Sequence, residues 1–397
     1  MAVDEDWRPG FATRAVHGAR MPPIDQDAPS VPIFQSSTFR FETSERYADT
    51  ISFRRPGYTY TRGYGNPTLA AFETLMADLE ETEAAFSFAS GMAAIHTVVT
   101  ACAGAGDRIV ASPELYGGTF SLFRNVLPRY GIEVTFVDAH DHDAVGDALP
   151  GAKLFYCETI ANPNVTVVDL EALSKLCQNA GVPAAVDNTF ASPYLCNPAR
   201  YGFDFVLHSA TKYIGGHSDL IAGVVCCSER DAARLRNTVI ETGATMAPLE
   251  AWLCMRGLAT LELRMHRHSA NALSLATFLE QHPKVDRVHY PGLATHPHHA
   301  LARRQLPMGF GGMLAFEVDG GVDAGRRFCD GVELAWIAAS LGGTQTLVGH
   351  AASTTHRQLD AQARRAAGLA DGLVRVSVGI EDPDDIAADF ARALEKV

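Results

Sequence analysis

The sequence predicts an α/β protein: a mostly parallel central sheet with helices on both faces, followed by a smaller C-terminal α/β domain. Three observations predict it. First, short apolar runs at 108–112, 133–138, 153–159, 183–188, 203–208 and 223–228 alternate with helical stretches at 91–103, 117–130, 169–180 and 229–241. Buried parallel strands read as such runs, and the intervening helices supply the crossovers. Second, one helix start is sharply marked. Asn66 is an N-cap residue, Pro67 suits the first helical position, and Leu69, Phe72, Leu75, Met76 and Leu79 recur on one face. Third, the pattern changes after a long helical stretch at 248–281, to strands at 285–290, 313–318 and 373–380 with helices between them and a closing helix near 384–396. These features divide the chain into an N-terminal arm at 1–64, a large domain at 65–263 and a C-terminal domain at 264–397. The arm is rich in proline and poor in periodic apolar content, so it is expected to pack on something else, such as a neighbouring subunit.

Composition narrows the function. The chain has 397 residues, 47% hydrophobic and 20% charged, which is ordinary for a globular protein. Its formal net charge of -13 argues against nucleic acid or an anionic membrane as a partner. The eight cysteines include no CxxC pair, and several, such as Cys226 and Cys227, lie in apolar runs. They read as buried free thiols of a reducing compartment. No apolar run is long enough to cross a bilayer, and the first residues carry no apolar signal core, so a cytoplasmic protein is expected.

Four segments carry chemistry. His208-Ser209-Ala210-Thr211-Lys212-Tyr213 directly follows an apolar run. A lysine at a strand's carboxyl end, beside two hydroxyls, suits an aldehyde cofactor that bears a phosphate: the amine forms the imine and the hydroxyls donate to phosphate oxygens. A lone loop lysine is more often a solvated charge. Asp187, at the end of the preceding apolar run, changes that reading, because a carboxylate against a pyridine nitrogen keeps the nitrogen protonated. Its bland alternative is a cap for the next turn. Ser90-Gly91-Met92 opens a helix, where a glycine and free N–H groups favour an anion. Tyr116, in a Tyr-Gly-Gly turn, offers a ring to stack on a cofactor and a phenol to move a proton, or is simply a half-buried core residue.

These four segments, in this order, resemble the cysteine–methionine metabolism family of pyridoxal 5'-phosphate (PLP) enzymes, which includes methionine γ-lyase, cystathionine γ-lyase, cystathionine γ-synthase and the homoserine-ester sulfhydrylases. Residues 58–68, 158–163, 340–343 and 373–379 extend the resemblance over nearly the whole chain. It implies PLP-dependent fold type I, the aspartate-aminotransferase-like fold. It also implies that Lys212 is the Schiff-base lysine and proton shuttle, and that Asp187 is the pyridinium partner. Gly91, Met92, Ser209 and Thr211 match the phosphate cradle, and Tyr60 and Arg62 match residues given to the phosphate by the neighbouring subunit. Tyr116 matches the stacking residue and acid for the leaving group, and Arg375, Ser340 and Asn162 match the grip on the substrate carboxylate. A dimer with shared sites, doubled to a homotetramer, follows from the same resemblance.

The implied reaction is γ-elimination from a sulfur amino acid, methionine γ-lyase-like, giving a 2-oxo acid, ammonia and a thiol. Ala339 stands where cystathionine-processing members tend to carry an acid, which suits an uncharged thioether or ester. The run 352–359 resembles homoserine-ester sulfhydrylases and some methionine γ-lyases. Methionine γ-lyases, however, typically carry Cys where this chain has Gly118. The alternatives are γ-replacement by a homoserine-ester sulfhydrylase or cystathionine γ-synthase, and cystathionine γ-lyase. An aminotransferase of the same fold and a catalytically silent paralogue are the readings from other classes. No metal is expected: His296-Pro297-His298-His299 reads as a polar surface loop, and His350 as either an entrance residue or a structural one.

Overall fold

The computed structural model describes residues 9–19, 28–354 and 369–397. Among these residues the strands form two sheets. The first contains β1 (Ala84–Phe88), β2 (Arg108–Ala111), β3 (Glu133–Phe136), β4 (Phe155–Glu158), β5 (Ala184–Asp187), β6 (Phe205–His208) and β7 (Gly223–Cys227), in the order β1-β7-β6-β5-β4-β2-β3. Neighbours pair in parallel except at β7, which is antiparallel to both β6 and β1. The second contains β8 (Val285–His289), β9 (Met313–Val318), β10 (Trp336–Ile337), β11 (Leu347–His350) and β12 (Leu373–Ser377), in the order β10-β11-β12-β9-β8.

The central strands have no polar face because both faces are covered. Phe155, Cys157, Ala184, Val186 and Val206 join one buried cluster, while Tyr156, Ala185, Phe205 and Leu207 join another on the opposite side. Side chains alternate across a strand, so a continuous apolar run is what a doubly covered sheet requires. Helix Pro67–Glu80 begins as expected: the Asn66 side chain accepts from Thr68 N–H at 2.9 Å, and Leu69, Phe72, Leu75, Met76 and Leu79 are all buried. All eight cysteines are free and buried, Cys226 and Cys227 within β7.

Several expectations need correction. The helical stretch expected at 248–281 is two helices, Pro248–Leu258 and Leu261–Glu280. Buried Arg264 explains the break. Its guanidinium donates to Gly257 O at 2.6 Å and to Tyr213 O at 2.7 Å, and its Nε to Thr260 Oγ1 at 3.1 Å. A carbonyl of the first helix is thus spent on a side chain, and the turn after Lys212 is pinned to the junction. Residue 264, where the C-terminal unit was expected to begin, lies in the first turn of the second helix. The single helix expected at 117–130 is a short α-helix, a π-helical turn and a 3₁₀ turn, and Pro128, which has no N–H to give, sits in the last. Helices alone were expected between 318 and 373, apart from which β10 and β11 appear. The arm is less irregular than expected: Phe11–His17 and Ser44–Ile51 are helical, and the first buries Ala15 and sets the Phe11 ring against Tyr194 of the same chain. The loop at 296–299 is not simply a polar surface loop. His296 is buried, and the His298 ring stacks on His140 at 4.5 Å. His350 is structural: buried, it bonds Ser353 Oγ and Asp371 O, both at 2.7 Å.

Candidate active site

The parallel strands end on one side of the sheet, and their carboxyl ends carry the polar groups there, as open α/β sheets dictate. Glu158 ends β4, Asp187 ends β5 and is its cross-strand partner, and His208 ends β6 just before Ser209. Helix Gly91–Cys102 starts beside them. The Ser90 side chain caps it by accepting from Ala93 N–H at 3.1 Å, leaving the N–H groups of Gly91 and Met92 at its open end. Two glycines let this helix end approach Ser209. A Cβ at Gly91 would stand 2.8 Å from Ser209 Cβ, and one at Gly223 would stand 2.2 Å from Ser90 O.

Lys212 lies in the turn that follows β6, and its Nζ donates to Ser340 Oγ at 2.8 Å. Burial, and then the Arg375 guanidinium, push the amine down from 10.5 to about 8. Ser340 holds a left-handed backbone, with φ 93°, a strained choice for a residue other than glycine. The strain turns its two oxygens to different partners: Oγ takes Lys212, and the main-chain O takes Arg375 Nη2 at 3.0 Å. The other guanidinium nitrogen of Arg375 donates to Asn162 Oδ1 at 3.3 Å. Arg375, Ser340, Asn162 and Lys212 therefore form one connected group drawn from both sheets. Burial lowers the Arg375 pKa, and the nearby Tyr116 and Tyr213 phenols oppose that. A bound carboxylate would offset this burial better.

Burial raises the Asp187 carboxyl above its ordinary value, against the Thr189 N–H, which donates to Oδ1 at 3.0 Å, and the charge of His208. A cationic ring nitrogen set there would draw the carboxyl back down. Thr189 was not foreseen, yet it joins two of the expected segments, because its Oγ1 also accepts Ser209 N–H at 2.8 Å. Thr211 is more occupied than expected: its hydroxyl donates to Ala222 O at 3.2 Å and accepts Ala222 N–H at 3.0 Å. It would have to turn from that carbonyl to serve a phosphate.

Tyr116 is half exposed, and its N–H donates to Glu158 Oε1 at 2.6 Å. A Cβ at Gly118 would meet the Tyr116 ring at 2.5 Å and the Met92 sulfur at 3.2 Å, so the ring lies over Gly118 in the space a side chain would need. Tyr60 and Arg62 are not brought to the group around Lys212 within one chain. Arg62 hydrogen-bonds Ile240 O and lies 5.7 Å from the Tyr60 ring centroid, and both side chains are exposed. Glu158 was also missed as a site residue, although its segment carried part of the resemblance.

Residues 12–395 match the family described as Cys/Met metabolism PLP-dependent enzyme. The chain is 45% identical to an L-methionine gamma-lyase of Fusobacterium nucleatum subsp. polymorphum, over 98% of each protein. It is 40% identical to an O-succinylhomoserine sulfhydrylase of Pseudomonas aeruginosa, over 99% of each. The crystal structure of cystathionine gamma-lyase from Lactobacillus plantarum complexed with L-serine superposes with a TM-score of 0.91 at 39% identity, covering 98% of this chain and 99% of that one. With the fold, the lysine-centred group and these matches in agreement, the chain belongs to the Cys/Met metabolism family of PLP-dependent enzymes.

Proposed function

We propose that this protein eliminates the γ-substituent of an uncharged sulfur amino acid, methionine foremost, releasing a 2-oxo acid, ammonia and a thiol. The observation that carries this reading is the linkage Lys212–Ser340–Arg375–Asn162, which sets a proton-accepting amine beside a guanidinium able to hold an amino acid by its carboxylate. The residues present fit PLP. Gly91 packs against Ser209 in a cradle that a single Cβ would fill, at a capped helix N-terminus favourable to phosphate, and a buried carboxylate stands at the next strand end. Gly91, Met92, Ser209 and Thr211 would hold the phosphate, Asp187 the ring nitrogen and Lys212 the aldehyde carbon. When bound, the cofactor supplies an electron sink for charge that develops at the substrate's α-carbon.

The chain's own groups do the rest. Arg375 and Asn162 hold the substrate carboxylate, which fixes the direction of the Cα–H bond. The Lys212 amine, once free, takes the α-proton, gives it up again, and, neutral once more, takes a β-proton. Its depressed pKa makes the neutral, basic form available near pH 8. The Tyr116 phenol gives a proton to the departing sulfur. The exposed segment 336–339, Trp-Ile-Ala-Ala, lies just before Ser340 and offers no ionisable group to a second amino-acid moiety. That favours a thioether such as methionine over cystathionine, as does the similarity to L-methionine gamma-lyases. Gly118 favours the second reading, γ-replacement on a homoserine ester, since methionine γ-lyases typically carry Cys there.

The enzyme is further proposed to act as a homotetramer in the cytoplasm, with Tyr60 and Arg62 serving a neighbouring site. The bond of Arg62 to Ile240 O, the exposure of both side chains and the eight buried free thiols support this. Among the described residues no helix is long and apolar enough to cross a membrane. The deciding experiment supplies methionine, cystathionine and O-acyl homoserines, each with and without sulfide, and identifies products by mass. Release of 2-oxobutanoate, ammonia and methanethiol from methionine alone is the expected result. Turnover only of an ester with sulfide present would establish replacement instead.

A further inference from the structure

Glu158 is buried at the end of β4 and belongs to none of the roles described so far. Its Oε1 accepts the main-chain N–H of Tyr116 at 2.6 Å, and the loop that leaves β4 just after it carries Asn162. Tyr116 and Asn162 stand on different loops, one after β2 and one after β4, and neither loop holds the other by a regular ladder. Glu158 therefore ties the turn that carries the phenol proposed to protonate the leaving group to the strand end from which the Asn162 loop departs. We propose that Glu158 is a positioning residue: by taking the Tyr116 N–H at the end of β4, it sets the Tyr116 phenol at the distance from the Arg375–Asn162 grip that matches the γ-atom of the substrate.

This inference rests on the elimination reading and on Tyr116 as the acid in it. Physical chemistry favours position over charge as the contribution of Glu158. The carboxyl is buried and directly opposite Asp187 in the parallel register, so burial and the Asp187 charge both press it toward its neutral form. A neutral carboxyl still accepts an N–H through its carbonyl oxygen. An amide of the same length does so equally well, while a carboxylate one methylene shorter does not reach.

The test crosses those two properties. Glu158→Gln keeps reach and loses charge; Glu158→Asp keeps charge and loses reach; Glu158→Ala loses both. Each holoenzyme is assayed with methionine, whose thiolate needs a proton to leave, and with O-acetylhomoserine, whose acetate does not. Correct placement of a general acid is worth about 100-fold or more. Asp and Ala variants should thus lose about that factor in kcat on methionine, and under about tenfold on the ester, with Gln close to wild type on both. Deuterium uptake at the peptide containing Tyr116 supplies a readout independent of turnover: faster in Asp and Ala, unchanged in Gln. If the Ala variant does not fold, the Asp–Gln pair decides alone. Loss in Gln with retention in Asp would overturn positioning in favour of charge, and unchanged exchange in Asp would overturn it as well. Tyr116→Phe separates the two failures. If it loses activity equally on both substrates, the elimination reading of Tyr116 fails. If it shows the leaving-group dependence while Glu158→Asp does not, only the positioning inference fails.

Discussion

Lys212 has to be neutral to capture an aldehyde, and an ordinary lysine at neutral pH is not. Here burial and the neighbouring guanidinium disfavour the ammonium, bringing its pKa from 10.5 to about 8. A lowered pKa means that the reactive, neutral form appears at lower pH, not higher. Cofactor-free protein should therefore take up PLP at a rate that climbs with pH, the climb centred near pH 8, followed by stopped-flow absorbance. A climb centred near the ordinary lysine value of about 10.4 would contradict the burial argument. The residues around it were legible to different degrees. Lys212, Asp187 and Gly91 sit in contiguous motifs, so their segments pointed to the chemistry directly, while Arg375 was reached only through the family resemblance. Glu158 and Thr189 were missed as site residues because they act through the main chain of distant residues, Tyr116 and Ser209. Nothing in their own neighbourhoods signals such contacts. The available hints were that each stands at or just past the end of an apolar run, and that Glu158 opens one of the segments that carry the resemblance.

At the scale of elements, β7 is the antiparallel strand inserted between β1 and β6, and its first residue decides how close their ends come. Gly223 pairs with Phe88 of β1 and faces the carbonyl of Ser90, where a Cβ would stand at 2.2 Å. Rigid backbone surrounds that point, so relief must come from moving the Ser90–Gly91 turn away from Ser209. Gly223→Ala should accordingly leave the sheet folded, by circular dichroism, while weakening PLP about tenfold or more in an equilibrium titration, given overpacking costs of about 1–3 kcal/mol. Undiminished affinity would mean that the cradle is not built by this contact. The same scale shows where sequence patterns stop being informative. The central strands were legible because both faces are buried and their runs are unbroken. β10 and β11 were not, being two and four residues long in a stretch of mixed polarity. The helix break at 259–260 was also hidden, since apolar periodicity continues through it and its cause, Arg264, reads as a surface charge in sequence.

For the whole molecule, the arm is the informative segment. Its first helix docks on the rest of its own chain, burying Ala15 and setting Phe11 against Tyr194. The stretch near Tyr60 and Arg62, in contrast, leaves both side chains exposed. Serving a neighbouring subunit would give them a purpose that one chain does not. Arg62→Ala should weaken PLP by about one to two decades, the loss of a charge-assisted phosphate contact. Arg62→Ala and Lys212→Ala are each expected to be poorly active or inactive at limiting cofactor. Mixed and reassociated, they form hybrids in which one site carries both defects and the other neither, so activity should return. With subunit exchange verified by mass, no return of activity would assign Arg62 to its own chain.

Each of these roles turns on a cofactor carried by Lys212, in the group it forms with Ser340 and Arg375. Borohydride reduction of the PLP-loaded protein, followed by proteolysis and mass spectrometry of the fragments, tests that directly. The phosphopyridoxyl group is expected on the peptide containing Lys212 alone, in stoichiometric amount, and is expected to be absent from a Lys212→Ala protein treated in the same way. Recovery of the label on any other lysine, or stoichiometric labelling that survives in Lys212→Ala, would contradict it.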